Sequence, residues 1–200
     1  VSKTTTLQFY RGVAASLPTL ADGEPAWTTD THALYVGQGG TNYAVGGGGG
    51  GGGFTPAGCR VKRTSGTASL ASAAWTAVLF DAESYDSDAF HSTGSNTSRI
   101  TIPSGKAGKY LLGGSAAFAA GISGTGSRRA RIRRGGSLVV ALSDVEPGSA
   151  SLEVQLTALT VYDCAVSDYF EFEVWHDSGV VMDLANGIDY TPVFWAHLIG

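Results

Sequence analysis

The chain has 200 residues, 43% of them hydrophobic and 15% charged, with a net charge of −4. That balance excludes a nucleic-acid binder, which needs a cationic footprint, and no apolar run reaches the roughly 18 residues of a membrane span. The charged fraction lies well below the roughly 25% of an ordinary soluble domain, so part of the surface is expected to be covered by further copies of the same chain.

No secretory signal opens the sequence. Val1 reads as the residue left after removal of an initiator Met, which would make this a nearly complete product, made in the host cytoplasm and released by lysis. Residues 1–45 read as short strands joined by tight turns, with Asp22-Gly23 as a turn dipeptide and Ala33–Gly37 as a strand. The apolar residues Leu7, Phe9, Leu17, Leu20, Trp27, Leu34, Tyr35 and Val36 are too few to stabilise about 45 residues alone. Sister chains or a larger particle are expected to order this segment.

Within it, LPTLADGEPAWTTDTHALYVGQGG resembles a segment of tail-fibre and baseplate proteins of tailed bacteriophages. Leu17-Pro18, Leu20, Gly23-Glu24, Trp27, Asp30-Thr31 and Leu34-Tyr35-Val36-Gly37 carry the resemblance. It implies attachment to a virion, with a phage tail, baseplate or capsid protein as partner. The residues expected to make that contact are Leu17, Pro18, Leu20, Trp27, Leu34, Tyr35 and Val36. Some carriers of the segment are named phage hyaluronidases, so a glycan depolymerase is retained as an alternative.

Eight glycines follow, Gly46–Gly53. They bury nothing and lose the most entropy when ordered. Neither a Gly-x-y repeat nor a following Gly-Lys-Ser/Thr is present, which excludes a collagen stalk and a phosphate loop. The run is expected to be a flexible linker with a root-mean-square reach of about 15 Å; three chains packed as a polyproline-II rod would instead span about 25 Å.

Residues 54–200 show alternation with turn punctuation and almost no helical period. Strands are predicted at Trp75–Phe80, Arg99–Ile102, Tyr110–Phe118, Ala130–Arg134, Leu138–Leu142, Leu152–Val161, Tyr169–Trp175, Val180–Leu184 and Val193–Ile199. Turns are predicted at Ser104–Gly105, Gly135–Gly136, Pro147–Gly148 and Asn186–Gly187. This is an all-β pattern, and a jelly-roll sandwich suits the strand number.

The pieces Phe80-Asp81, Ile100-Thr101-Ile102-Pro103, Gly105 and Gly108-Lys109-Tyr110 resemble the early strands of complement/tumour-necrosis-factor globular heads. RIRRGGSLVV, AVSDYFEFEVWHDSG and the closing PVFWAHLIG resemble later parts of that family in the right order, with Ser167 where a Gly is usual. The resemblance implies a homotrimer. In YFEFEVW, Phe170, Phe172 and Val174 are assigned to the core, whereas Tyr169, Glu171, Glu173 and Trp175 form a mixed face suited to a subunit contact or an aromatic-rimmed surface.

Glu171 and Glu173 stand about 7 Å apart on one strand face, a spacing open to acid–base glycoside cleavage. Arg131 and Arg133 alternate in the same way, and a cross-strand ion-pair ladder is preferred. No catalytic residue is assigned, and the chain is read as non-enzymatic. Asp81, Glu83, Asp86 and Asp88 lack EF-hand spacing and read as a solvated acidic loop, while His32, His91, His176 and His197 are scattered. No metal or cofactor is expected. The only cysteines, Cys59 and Cys164, fit neither a zinc site nor a disulfide framework and read as buried or free thiols, with a single bridge between them left open. The basic run RRARIRRGG is taken as a surface strand and hairpin, with an anionic glycan or lipopolysaccharide phosphate as its functional alternative.

The expectation is a trimeric phage virion appendage, a tail fibre or receptor-binding protein, contacting a bacterial surface glycan without inserting into a membrane. Tyr85, Asp86, His91, Trp175, His176 and Asp177 are the residues expected to touch that receptor. A capsid head fibre or decoration spike is the second alternative.

Overall fold

The computed structural model describes residues 9–45, 56–65, 69–120, 125–146, 153–187 and 190–200. Leu7, the glycine run, the Pro147–Gly148 turn and Leu152 lie outside the described residues. The chain divides into two compact units, Val1–Thr55 and Pro56–Gly200.

The first unit is one four-stranded sheet in the order β1 (Tyr10–Gly12), β2 (Pro25–Thr28), β3 (Leu34–Gln38) and β4 (Thr41–Val45). β1 runs parallel to β2, and the other pairs are antiparallel. Gly39 and Gly40, both at positive φ (58° and 74°), form the two-residue turn of the β3–β4 hairpin; φ above zero at both positions is the mark of a type I′ turn, whose twist matches that of the strands. The segment before β2 is fastened by Asn42, whose side chain accepts from the Leu20 amide (2.9 Å) and donates to the Pro18 carbonyl (2.8 Å). Gly37 lies so close to this segment that a Cβ would sit 2.2 Å from the Ala21 carbonyl oxygen. Among the described residues the unit buries only Leu20, Ala26, Thr28, Ala33 and Gly37.

The second unit is a jelly roll. Its remaining strands are β5 (Gly58–Lys62), β6 (Ser69–Leu70), β7 (Thr76–Ala77), β8 (Ala82–Asp86), β9 (Arg99–Thr101), β10 (Gly108–Phe118), β11 (Arg128–Arg134), β12 (Leu138–Val145), β13 (Val154–Cys164), β14 (Tyr169–His176), β15 (Met182–Asp183) and β16 (Val193–Leu198). One sheet has the order β13-β10-β16-β5-β8. The other has the order β12-β11-β14-β7, with β9 also paired to β14, and β6 pairs with β15. Every pairing in this unit is antiparallel.

Alternation along the strands fills the space between the sheets. Phe170, Phe172 and Val174 of β14 are buried as expected, and Phe194 stacks between Phe80 and Phe172 at centroid distances of 5.9 and 6.1 Å. Two successive glycines in β10 serve the two faces of one strand. A Cβ on Gly114 would meet the Phe172 ring at 2.3 Å inside the core, and one on Gly113 would meet the Trp195 indole at 2.2 Å on the outside.

Several predicted elements differ in extent. The Trp75–Phe80 run yields only Thr76–Ala77 as strand; Val78 and Phe80 remain in the core, but their amides turn to the carbonyls of Phe172 and Thr97. β5 and β8 have no counterpart among the predicted strands. β5 alternates over only Cys59–Lys62, and the mixed polarity of AESYD hides the period of β8. Ser167 sits at φ 67°, so the turn keeps the left-handed geometry that a glycine would adopt freely.

The sandwich has two distinct ends. The chain enters at Ala57, whose carbonyl accepts from Leu198, beside the starts of β10 and β14 and the end of β13. At the opposite end lie Phe118, Arg128, Val145, Val154 and His176. Cys59 and Cys164 are free and buried, with β10 and β16 between their strands. Three strand spacings of about 4.8 Å put them well beyond disulfide reach. Burial pushes the Cys164 thiol up to about 12 and the Cys59 thiol further still.

Candidate functional site

Three surfaces concentrate unusual side chains. The first is the exterior of β11 and β14. Glu173 lies opposite Arg131 and Glu171 opposite Arg133. The Arg131 Nε donates to Glu173 at 2.6 Å, Arg133 reaches the other Glu173 oxygen at 2.5 Å, and Arg99 pairs with Glu171 at 3.3 Å. The expected cross-strand ladder is therefore present. Both carboxylates are buried, 3% and 8% exposed, and surrounded by cations. Guanidinium groups also cover the aromatic rings of this face: Arg131 lies 3.8 Å from the Trp75 centroid, Arg129 4.5 Å from Trp175, and Arg99 4.1 Å from Tyr169. Trp75 and Trp175 are 6.2 Å apart. The mixed face of β14 is thus closed largely by the chain's own arginines.

The six residues expected to touch a receptor fall at both ends of the sandwich. Tyr85, Asp86 and His91 stand at the end where the chain enters. Tyr85 hydrogen-bonds and stacks on His197, and Asp86 accepts from the amides of Asp88, Phe90 and His91. The His91 ring is fully enclosed between Glu83 (3.0 Å) and the Thr97 carbonyl (3.2 Å). Trp175, His176 and Asp177 stand at the other end. His176 is buried, bonded to the Leu70 carbonyl and Ser178, while Asp177 accepts from the Ser127 amide at 2.6 Å. Arg128, also buried, donates to the Thr125 and Ser127 carbonyls beside them.

The acidic loop is likewise engaged by its own chain. Asp81 accepts from the amides and hydroxyls of Thr64 and Ser65; partial burial pushes its carboxyl up, but these bonds outweigh that and hold it at about 2. Asp88 pairs with Lys106 at 2.9 Å. Among the described residues, no group of three or more His, Cys, Asp or Glu could hold a metal ion. No helix among them is long and apolar enough to cross a membrane.

The second surface is a strip of exposed aliphatics. β12 and β13 are edge strands of their respective sheets and contact each other at one flank of the sandwich. They expose Leu138, Val139, Leu142 and Val145, and Leu159 and Val161, with exposures up to 59% at Leu142. Six such residues on two sheet edges are what proteins ordinarily avoid unless a partner covers them.

The third surface is on the first unit. Trp27 and Leu34 line a groove of about 410 Å³ with Phe9 and Arg11. Tyr35, Val36 and Leu17 are half-buried, Pro18 is exposed and Leu20 is buried. Other residues of the same sequence segment hold it together: Asp30 accepts from the Ala14 amide (2.9 Å), and Glu24 from the Ala21 amide (2.8 Å).

Residues 7–41 match the family model described as the major tropism determinant N-terminal domain. No curated protein is detectably similar to the chain. The second unit has the fold of complement and tumour-necrosis-factor-like jelly rolls. It is similar to the globular domain of zebrafish complement 1qA protein, at 16% identity and TM-score 0.52, covering 72% of this chain and 98% of that one. It is also similar to murine APRIL at pH 8.0, at 11% identity and TM-score 0.55, covering 72% of this chain and 100% of that one.

The alternation of VFWAHL places Phe194 and Ala196 inside and turns Trp195 and His197 outward.

Proposed function

We propose that the protein is a non-enzymatic, homotrimeric appendage of a tailed-bacteriophage particle, a tail-fibre or receptor-binding protein that attaches to the bacterial surface through a glycan. The observation that carries this reading is the order of the two units: a segment matching a tropism-determinant N-terminal domain, then a jelly roll. The first unit fixes the chain to the particle, with Trp27 and Leu34 in the groove that takes the partner. The glycine run tethers the head.

Copies of the head associate through the exposed aliphatics of β12 and β13. Burying a side chain of that size contributes about 1.5–3 kcal/mol, so six of them on each copy supply a substantial drive to associate. Three weak glycan sites on one trimer then act together through effective concentration. The Glu171–Glu173 pair supports the ladder over catalysis, because each carboxylate is already paired with arginines of the neighbouring strand.

Purified protein should bind host cells and lose that binding after pre-incubation with host surface polysaccharide. Shortening of the polysaccharide by the protein alone would establish the depolymerase instead. Absence of cell binding by a protein that still assembles into particles would favour the capsid decoration.

A further inference from the structure

Leu159 of β13, Gly113 of β10, Trp195 of β16 and Arg60 of β5 are successive partners across the five-stranded sheet. Gly113 has no side chain, so the Trp195 indole lies across its strand on the sheet exterior. Leu159 and Val161 stand exposed on the same outward face. Beside the indole is a recess of about 510 Å³, lined on one side by Arg60 and Lys62, which alternate along β5.

Among the described residues, neither Arg60 nor Lys62 makes an ion pair, whereas Arg99, Lys106, Arg129, Arg131, Arg133 and Arg134 all do. Carboxylates in the same condition stand at the flank where β12 meets β13. Glu146 directly follows β12 and Glu153 directly precedes β13. Both are exposed and, among the described residues, in no ion pair. Back along β12 from Glu146 run the exposed Val145, Leu142, Val139 and Leu138.

We infer that the Trp195 face is the seat of a second copy of this chain: the β12 strip of one copy packs on it, and Glu146 and Glu153 of that copy pair with Arg60 and Lys62. A ring of three closes only when two different patches on each chain meet head to tail. The strip and the Trp195 face are two such patches, adjoining at the β12–β13 flank. Charge decides which patch meets which. Two Trp195 faces set against each other would oppose four cations, and two strips would oppose four carboxylates; only strip on face joins opposite signs. The indole then serves as the enclosed aromatic anchor of an aliphatic contact. The inference rests on reading the second unit as a homotrimeric head and assigns the two halves of its contact.

The test is a charge exchange in the full-length protein, read by light scattering over a concentration series. Arg60→Glu/Lys62→Glu should raise the concentration needed for assembly at least about tenfold, and Glu146→Lys/Glu153→Lys should do the same. The four changes combined in one chain should restore assembly towards that of the unaltered protein. Trp195→Ala should also impair it at least about tenfold. Circular dichroism checks that each variant is folded. Arg60, Glu146 and Glu153 are exposed, so the charge exchange remains decisive even where Trp195→Ala does not fold.

Folded charge variants that assemble as the unaltered protein does overturn the inference, as does a fourfold variant that stays impaired. The two readings fail differently. An unaltered protein that runs as a single chain removes the homotrimer itself. A trimer indifferent to the Arg60 and Lys62 reversals keeps the homotrimer and loses the seating of strip on face.

Discussion

Gly113 and Trp195 face each other across β10 and β16, and a Cβ on Gly113 would come within 2.2 Å of the indole. The contact lies on the sheet exterior, where a strand glycine would otherwise only weaken the ladder. Gly113→Ala should therefore displace the indole and cost about 1–3 kcal/mol by overpacking. Chemical denaturation reads the loss, and a shift in tryptophan emission reads the displacement. An unchanged midpoint and spectrum would mean that the ring is free to move.

The ladder on the other sheet separates buried from exposed ion pairs. Glu173 is 3% exposed and holds both Arg131 and Arg133. Glu173→Gln leaves two partly desolvated guanidinium groups short of a charge and should cost about 3 kcal/mol. The Arg129–Asp144 pair is open to solvent on both sides, and Asp144→Asn should cost less than about 1 kcal/mol. Comparable losses in thermal unfolding would contradict this ranking.

Ser167 reverses the usual rule that glycine destabilises. Its φ of 67° is strained for any residue with a Cβ, by about 1–2 kcal/mol, and glycine relieves this at the expense of a more disordered unfolded chain. Ser167→Gly should raise stability by up to about 1 kcal/mol. A lowered melting temperature would show that the serine side chain is needed in the turn.

His176 and His197 fix the direction of the pH response. Burial pushes both imidazoles below the ordinary value of 6.5, and Arg60 adds to the effect at His197. The unfolded chain then binds more protons than the native one just below pH 6.5, so stability falls as pH drops through that value towards the depressed native pKa. NMR titration should place both rings below 6.5, and Arg60→Gln should move His197 back towards it. Melting temperatures that rise between pH 7 and pH 5 would contradict the assignment.

Legibility in the sequence followed periodicity. The apolar face of β14 and the Arg131–Arg133 row were readable because each alternates without interruption over several residues. β5 and β8 were not, because the alternation of β5 covers only Cys59–Lys62 and β8 carries mixed polarity. The burial of His91 and His176 was also hidden: one partner of each, the carbonyl of Thr97 or Leu70, is a backbone group with no signature in side-chain pattern. The packing of Trp195 across β10 depends on an absent side chain at position 113, more than eighty residues earlier in the chain, and only the strand pairing connects them.

The account turns on self-association of the jelly roll, since the exposed aliphatics of β12 and β13 require cover and multivalent attachment requires several heads. Light scattering of the full-length protein, coupled to size-exclusion chromatography, measures this directly. The predicted result is a particle with three times the 20.5 kDa mass of the chain, reduced by Leu159→Glu/Val161→Glu to a folded single chain. A wild-type protein that elutes as one 20.5 kDa chain at micromolar concentration would contradict it.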